Sequence, residues 1–383
     1  QLERAHVNAV FMHRKGGDGR VYWPSRLFPE AVAPGIETFD LAAELLDACR
    51  ARGIAPHAWM IDFFDGGPAF RQRPEWAMRD PNGDTTDRLI LRGQPWGVVW
   101  QCPAQRPGYT DQWLIPLYRE FAERYDYDSL HHDYVRYPGD AAPDRFCFCD
   151  ACLERMPAFS GLLNDRWPDE PFFHPAYDRP DVESHWEPSP RMLPANWDRL
   201  DRRSKARFLL EGSSFPGGRV DLDTFFYNYR TWWIDRFCQE SAKAVRAARP
   251  GMKLSAAVFK HPVLSGRFIG QDWRRWAPWV DLLMPMNYRD HFPGTFEQYL
   301  GLLAAVIERQ KDWAADFEAL IPGIAVNFLY QEEAEAGTTP APEKLTAAIE
   351  TIAATGVPGI CLFCFGQLER YGLWDTLAQA LDH

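Results

Sequence analysis

Short apolar runs bounded by turn residues alternate along this chain with stretches whose apolar positions recur at helical spacing. The runs His6 to Met12 (HVNAVFM), Ile54 to Asp62 (IAPHAWMID), Asp128 to Tyr134 (DSLHHDY), Lys253 to Phe259 (KLSAAVF), Asp281 to Tyr288 (DLLMPMNY), Ala319 to Asn327 (ALIPGIAVN) and Gly359 to Phe365 (GICLFCF) read as strands. Helical spacing marks about Phe39 to Arg52, about Asp111 to Glu123, about Leu222 to Arg249, Phe296 to Asp312, Pro342 to Thr355 and Leu373 to Leu381. In the second of these, Trp113, Leu114, Leu117, Phe121 and Ala122 form the apolar stripe. Strands that alternate with helices build a parallel sheet, and seven such units in a row predict a (β/α)8 TIM barrel spanning residues 1–383 as one domain. A doubly wound sheet is the competing fold, but no Gly-rich nucleotide fingerprint follows any strand.

A closed barrel needs an eighth strand. Either Val98 to Cys102 (VVWQC) supplies it, or the first strand precedes Gln1; the second is expected, because Leu2 to Ala5 reads as the end of a helix entering the His6 run. Residues 139–220 interrupt the repeat with a Pro-, Asp-, Trp- and Arg-rich segment that lacks clean periodicity, read as an inserted loop or subdomain walling a binding site.

Charge narrows the partners. A net charge of -11 disfavours nucleic acid, whose affinity comes mainly from Lys and Arg neutralising phosphates. No apolar run approaches the roughly 20 residues of a membrane span, and the first residues lack a signal-peptide layout. The chain is rich in aromatics instead, with 16 Trp, 14 Tyr and 25 Phe, several in polar loops (Trp76, Trp96, Trp167, Trp186, Trp197). Flat rings in a cleft suit the apolar faces of sugars, so a carbohydrate is the expected partner.

The richest chemistry is in Leu130 to Pro138 (LHHDYVRYP), where a strand-end carboxylate meets imidazole, phenol and guanidinium. Alternation places Ser129, His131 and Asp133 on one face and Leu130, His132 and Tyr134 on the other. Side chains at the C-terminal ends of barrel strands point into the catalytic mouth, which makes Asp133 the first candidate carboxylate. His131 would bind a sugar hydroxyl or orient Asp133, and Arg136 would hold it ionised. Most glycosidases need a second carboxylate; Asp290, after the PMNY run, and Asp62, ending the HAWMID run, are the candidates, ahead of Glu332, Glu333 and Glu369 in later loops. His57, Trp59, Tyr134, Tyr288 and Asn327 are further candidates for lining a sugar site, with His57 and Trp59 sharing a face. A metal-dependent hydrolase or deacetylase would need His131, His132 and Asp133 to converge, which alternation opposes. A barrel that binds glycan without cutting it is the non-enzymatic alternative.

Eight cysteines are present. Cys361 and Cys364 lie in an apolar run, but Cys147, Cys149 and Cys152 (FCFCDAC) cluster just after the candidate strand. They read as a structural zinc site, with a fourth ligand such as Cys102, or as a disulfide. No other cofactor is required by the chemistry.

The segments HVNAVFMHRKGGDGRVYWPSRLFP, GIAPHAWM, WQCPAQRPGYTDQW, YDYDSLHHDYVRYP, FCFCDACLERM and GQDWRRWAPWVDLLMPMNY, in this order, resemble the bacterial glycosyl-hydrolase-like family 10 barrels and their cysteine-containing relatives. The resemblance implies glycan hydrolysis and a secreted or periplasmic setting. It also implies that the Asp133 strand is the fourth of the barrel and that the His6 run is the second. His132 departs from the pattern, which more often has an apolar residue there. The position of Asp133 is similar to that of the nucleophile in alpha-amylase and alpha-galactosidase barrels, and Asp290 to an acid that follows the sixth strand.

Overall fold

A computed structural model describes residues 1–91, 93–139, 146–166, 193, 196–211 and 222–382. Its frame is a curled parallel sheet of β1 (Ala9–Lys15), β2 (Ala55–Ile61), β3 (Ser129–Asp133), β4 (Lys253–Phe259), β5 (Leu282–Met286), β6 (Gly323–Ala325) and β7 (Cys361–Phe363). Each strand pairs with its neighbours in chain order, and a two-residue piece, Ala319–Leu320, also pairs with β5 on the way into β6. β1 and β7 are the two edges, so the sheet is a barrel open along one seam. The segment Val98 to Cys102 does not join it; Trp100 and Gln101 make only isolated bridges to Phe64 and Ala77. That removes VVWQC as the eighth strand.

Helices α1 (Leu41–Arg50), α2 (Ile115–Arg124), α3 (Asp150–Arg166), α4 (Arg202–Glu211), α5 (Leu222–Ala248), α6 (Phe296–Trp313), α7 (Glu343–Ala353) and α8 (Trp374–Leu381) flank the strands. Their starts follow local chemistry. Asp40 caps α1 by accepting from Ala43 N at 3.1 Å, while Thr295 and Gln298 exchange side-chain and backbone bonds at the start of α6. Most of the 139–220 insertion lies outside the described residues; α3, α4 and the turn Trp197–Arg199 are its described parts. None of the described helices is long and apolar enough to cross a membrane.

The core forms on the outer side of the sheet, as expected where helices cover parallel strands. Ala58, Met60, Leu130, Leu254, Ala256, Val258 and Leu283 pack there against Leu117 and Phe121 of α2 and Ile234, Phe237 and Val245 of α5. A second cluster joins Ile324 to Tyr299, Leu303 and Ile307 of α6, Leu345, Ile349 and Ile352 of α7, and Trp374 and Leu377 of α8. The inner face is polar. Cα partners His57↔Ser129, Trp59↔His131 and His131↔Ser255 set inward side chains level with one another.

Two element limits differ from the sequence pattern for a physical reason. β1 runs to Lys15 because that charged residue is fully buried, its Nζ 3.0 Å from Asp65 Oδ2 and donating to Ile61 O at 2.7 Å. An apolar pattern cannot show a paired lysine as interior. The last part of the ALIPGIAVN run turns helical at Val326, so Asn327 belongs to a short helix that follows β6.

Candidate active site

Asp133 closes β3 with part of its surface open to the barrel mouth. Trp59, its inward neighbour on β2, donates from Nε1 to Asp133 Oδ2 at 3.1 Å, and Tyr134 N donates to Oδ1 at 2.7 Å. Burial pushes the Asp133 carboxyl up to about 6; the Tyr134 N–H, the Arg136 charge and the Trp59 N–H oppose it, and the Asp62 charge adds to it. Arg136 pulls Asp133 toward the ionised form, the direction expected of it, while burial opposes it more strongly. Arg136 is itself buried, donating to Tyr137 O at 3.1 Å with its guanidinium over the rings of Trp100, Tyr134 and Phe259.

Tyr134 departs from the strand's alternation. Its φ is +54°, a left-handed conformation costing about 1 kcal/mol for a residue with a Cβ, and it reverses the side-chain parity that the sequence implies. The ring stacks on Phe64 (centroids 5.1 Å apart) and its hydroxyl acts electrostatically on Tyr288. Tyr134 thus joins the inward group rather than the His132 face.

Deeper in the barrel, His57 Nδ1 lies 2.5 Å from Ser129 Oγ, Ser129 lies 3.2 Å from Ser255 Oγ, and His131 Nδ1 lies 2.9 Å from Ser255 Oγ. Phe11 covers both imidazoles at 4.4 and 4.8 Å. Burial lowers His57 to about 4 and His131 well below the ordinary histidine range, so both rings are neutral hydrogen-bonding groups at neutral pH. They form a floor beneath Trp59 and Asp133.

Asp62 follows β2 on the opposite side of the wall. It is fully buried, accepts from the Tyr118 hydroxyl of α2, and lies 3.1 Å from His132 Nδ1, whose Nε2 is 3.0 Å from Ser241 Oγ on α5. The loop after it is bound by Tyr109, whose hydroxyl donates to Asp62 O (3.1 Å) and Asp65 Oδ2 (2.6 Å). Asp62 and His132 therefore belong to a closed polar network behind the sheet, and His131 and His132 face opposite ways. The sequence held no signal for the Lys15, Asp65, Tyr109 and Tyr118 parts of that network beyond their residue types.

The opposite rim is aromatic. Trp59 packs against His13 (3.7 Å) and edge-on to Phe363 (5.9 Å), and Phe363 stacks on Tyr288 (6.0 Å). Phe365, 67% exposed, begins the helix that follows β7. Asp290 sits on the turn Arg289–His291 after β5, exposed, with its carboxylate 3.9 Å from His291 Nε2. Burial raises Tyr288 well above the usual phenol range, and the carboxylates of Asp133 and Asp290 push the same way. One phenol thus senses both carboxylates. Lys260, at the end of β4, is lowered mainly by burial, with Asp290 opposing; its Nζ donates to His291 O. Lys260 and His13, each one residue past an apolar run, and Phe363, inside one, are mouth residues that the apolar pattern does not mark as chemistry. Asn327 presents a buried Oδ1 with no partner among the described residues.

Away from this mouth, Cys102, Cys147, Cys149 and Cys152 bring all four Sγ atoms within 4.8 Å of one another, all buried, an arrangement able to coordinate a metal.

An open parallel barrel with a strand-end carboxyl set among sugar-sized aromatic rings has the architecture of the glycoside hydrolases. The chain belongs to the family described as "Putative glycosyl hydrolase domain", whose model matches residues 1–303. No curated protein matches it by sequence. Among solved structures, the glycoside hydrolase domain of PgaB (BpsB) from Bordetella bronchiseptica is similar with a TM-score of 0.65 and 14% identity, over 99% of this chain and 90% of that one. The catalytic domain of a beta-amylase from Paenibacillus polymyxa has a TM-score of 0.56 at 11% identity, covering 99% and 92%. A beta-galactosidase from the haloarchaeon Halorubrum lacusprofundi has 0.59 at 12%, covering 99% of this chain and 54% of its own. At these identities the likeness is one of fold.

Proposed function

We propose that this protein hydrolyses glycosidic bonds in a poly- or oligosaccharide, as the resemblance to family 10 glycosyl-hydrolase-like barrels implies, with Asp133 as the proton-transferring carboxyl. The observation that carries the reading is the Asp133 environment: a strand-end carboxyl, open on one side, with its ionisation moved to about 6 by burial. A carboxyl in that range is protonated often enough near neutral pH to protonate a leaving glycosidic oxygen. Trp59 holds one oxygen of the carboxyl and leaves its open side free.

Asp290 is the second carboxylate of this proposal, acting as nucleophile or as base for water, which exchanges the roles that the resemblance implies for it and Asp133 because the raised ionisation of Asp133 suits a proton donor. Its support is its place on the turn that follows β5, beside His291 and next to the rim residue Tyr288. Trp59, Tyr288 and Phe363 would take the apolar faces of the sugar rings, and Asn327, on the short helix after β6, would bind a hydroxyl. His57, His131 and Arg136 position the floor and the Asp133 loop.

The test is reducing-end release from a panel of polysaccharides by the intact chain and by Asp133→Asn. Release by the unaltered protein that the substitution abolishes supports the reading. Retained glycan binding without release from any member of the panel would make the protein a glycan-binding barrel instead.

A further inference from the structure

We infer that Cys102, Cys147, Cys149 and Cys152 form a mononuclear zinc site of four thiolates that clamps together the two loops following β2 and β3. The four sulfurs lie within 4.8 Å of one another, with Cys102 Sγ 3.4 Å from Cys152 Sγ and 3.6 Å from Cys149 Sγ. Zinc–sulfur bonds of about 2.3 Å in a tetrahedron put sulfurs about 3.8 Å apart, so the cluster already has nearly the size of that polyhedron. A disulfide needs sulfurs about 2.05 Å apart and would use only two of the four. Four soft thiolates in a closed tetrahedron suit zinc and leave no open position for catalysis.

The surroundings fit a structural ion. Arg79 N donates to Cys147 Sγ at 3.5 Å, the kind of backbone contact that steadies a metal-bound thiolate. Neighbouring backbone is pinned too: Cys102 N to Trp76 O (2.8 Å), Phe148 N to Arg79 O (2.8 Å), and the Tyr229 hydroxyl of α5 to Cys152 O (3.1 Å). Cys149 also lines a cavity of about 270 Å³ with the exposed residues Glu75 and Asp150.

The placement gives the ion a task. Cys102 lies in the long connection that leaves β2 through Asp62 and Asp65, while Cys147 and Cys149 lead into α3 after the Asp133 loop and Cys152 lies in its first turn. One ion would therefore tie together the segments on either side of Arg136, whose guanidinium lies over Trp100, two residues before Cys102.

Metal analysis of the intact protein, purified without chelator, should find about one zinc per chain. Replacing the ion with cobalt should give the intense visible bands of a tetrahedral thiolate site. Cys147→Ser and Cys152→Ser should each lower bound zinc at least fivefold, and Cys49→Ser, which alters a cysteine outside the cluster, should leave it unchanged. Should the cysteine variants fail to fold, the cobalt spectrum of the unaltered chain still decides. Protein without metal, iron in place of zinc, or a Cys102–Cys152 disulfide found by thiol counting in denaturant would overturn the inference.

Discussion

Asp62 and Asp133 sit at the ends of neighbouring strands, and Cα pairing sets Ile61 beside Asp133, yet the two carboxylates live on opposite sides of one wall. Asp133 turns inward, keeps an open side, and touches the protein through an indole N–H and one backbone N–H. Asp62 turns outward, is sealed beneath α2 and α5, and has its oxygens taken by Tyr118 and His132. The difference arises from a shift of one residue along a pleat of period two. In a parallel barrel the parity of the terminal residue decides whether an acid can meet a substrate or holds the sheet to its helices.

The comparison is broken most forcefully by substitution. Asp133→Asn should lower kcat/KM on the cleaved glycan by about 10²- to 10⁴-fold, the range for losing a general acid, with folding intact by circular dichroism. Asp62→Ala should act on the fold, because it orphans the Tyr118 hydroxyl and the His132 ring in a dry site. Chemical denaturation should show a loss of about 2–4 kcal/mol, while the folded fraction retains kcat/KM within about tenfold. A comparable loss of turnover in folded Asp62→Ala would erase the distinction between the two acids.

Smaller changes sharpen it. Trp59→Phe keeps the ring for sugar stacking and removes the N–H, so kcat/KM should fall by about tenfold with little change in stability. Stability itself should report the burial of Asp133. Its carboxyl is raised in the folded chain, so both states are protonated below about pH 4, and the folded state is penalised as pH climbs through 6, where the unfolded chain is already ionised. Asp133→Asn should therefore raise the denaturation midpoint at pH 7–8, by the equivalent of about 1–2 kcal/mol after screening on its open side, and the gain should fade toward zero by about pH 3, below the ordinary carboxylate range.

Much of this was legible in the sequence, and the remainder was hidden for definable reasons. β4 matches its apolar run from Lys253 to Phe259, and Asp133 stood out because a strand run ended on an acid. Asp62 looked equivalent because the pattern shows that a strand ends but not which way its next side chain turns. The face of Tyr134 is hidden in the sequence because a left-handed φ has no signature in a tyrosine. Lys15 masked the end of β1, since only its pairing with Asp65 makes a buried ammonium tolerable. The cysteine cluster was visible as FCFCDAC, while the meeting with Cys102 depends on two loops converging, which spacing alone does not encode.

The central claim is that the Asp133 carboxyl, tuned by burial and by Trp59, transfers the proton at the glycosidic oxygen. The pH dependence of kcat/KM, measured for the unaltered protein and for Trp59→Phe on the same glycan, tests it most directly. The account expects activity to fall on an alkaline limb with an apparent ionisation near 6, and expects that limb to move to higher pH in Trp59→Phe, because the indole N–H favours the ionised carboxyl. A limb that lies elsewhere, or that the substitution leaves in place, would contradict it.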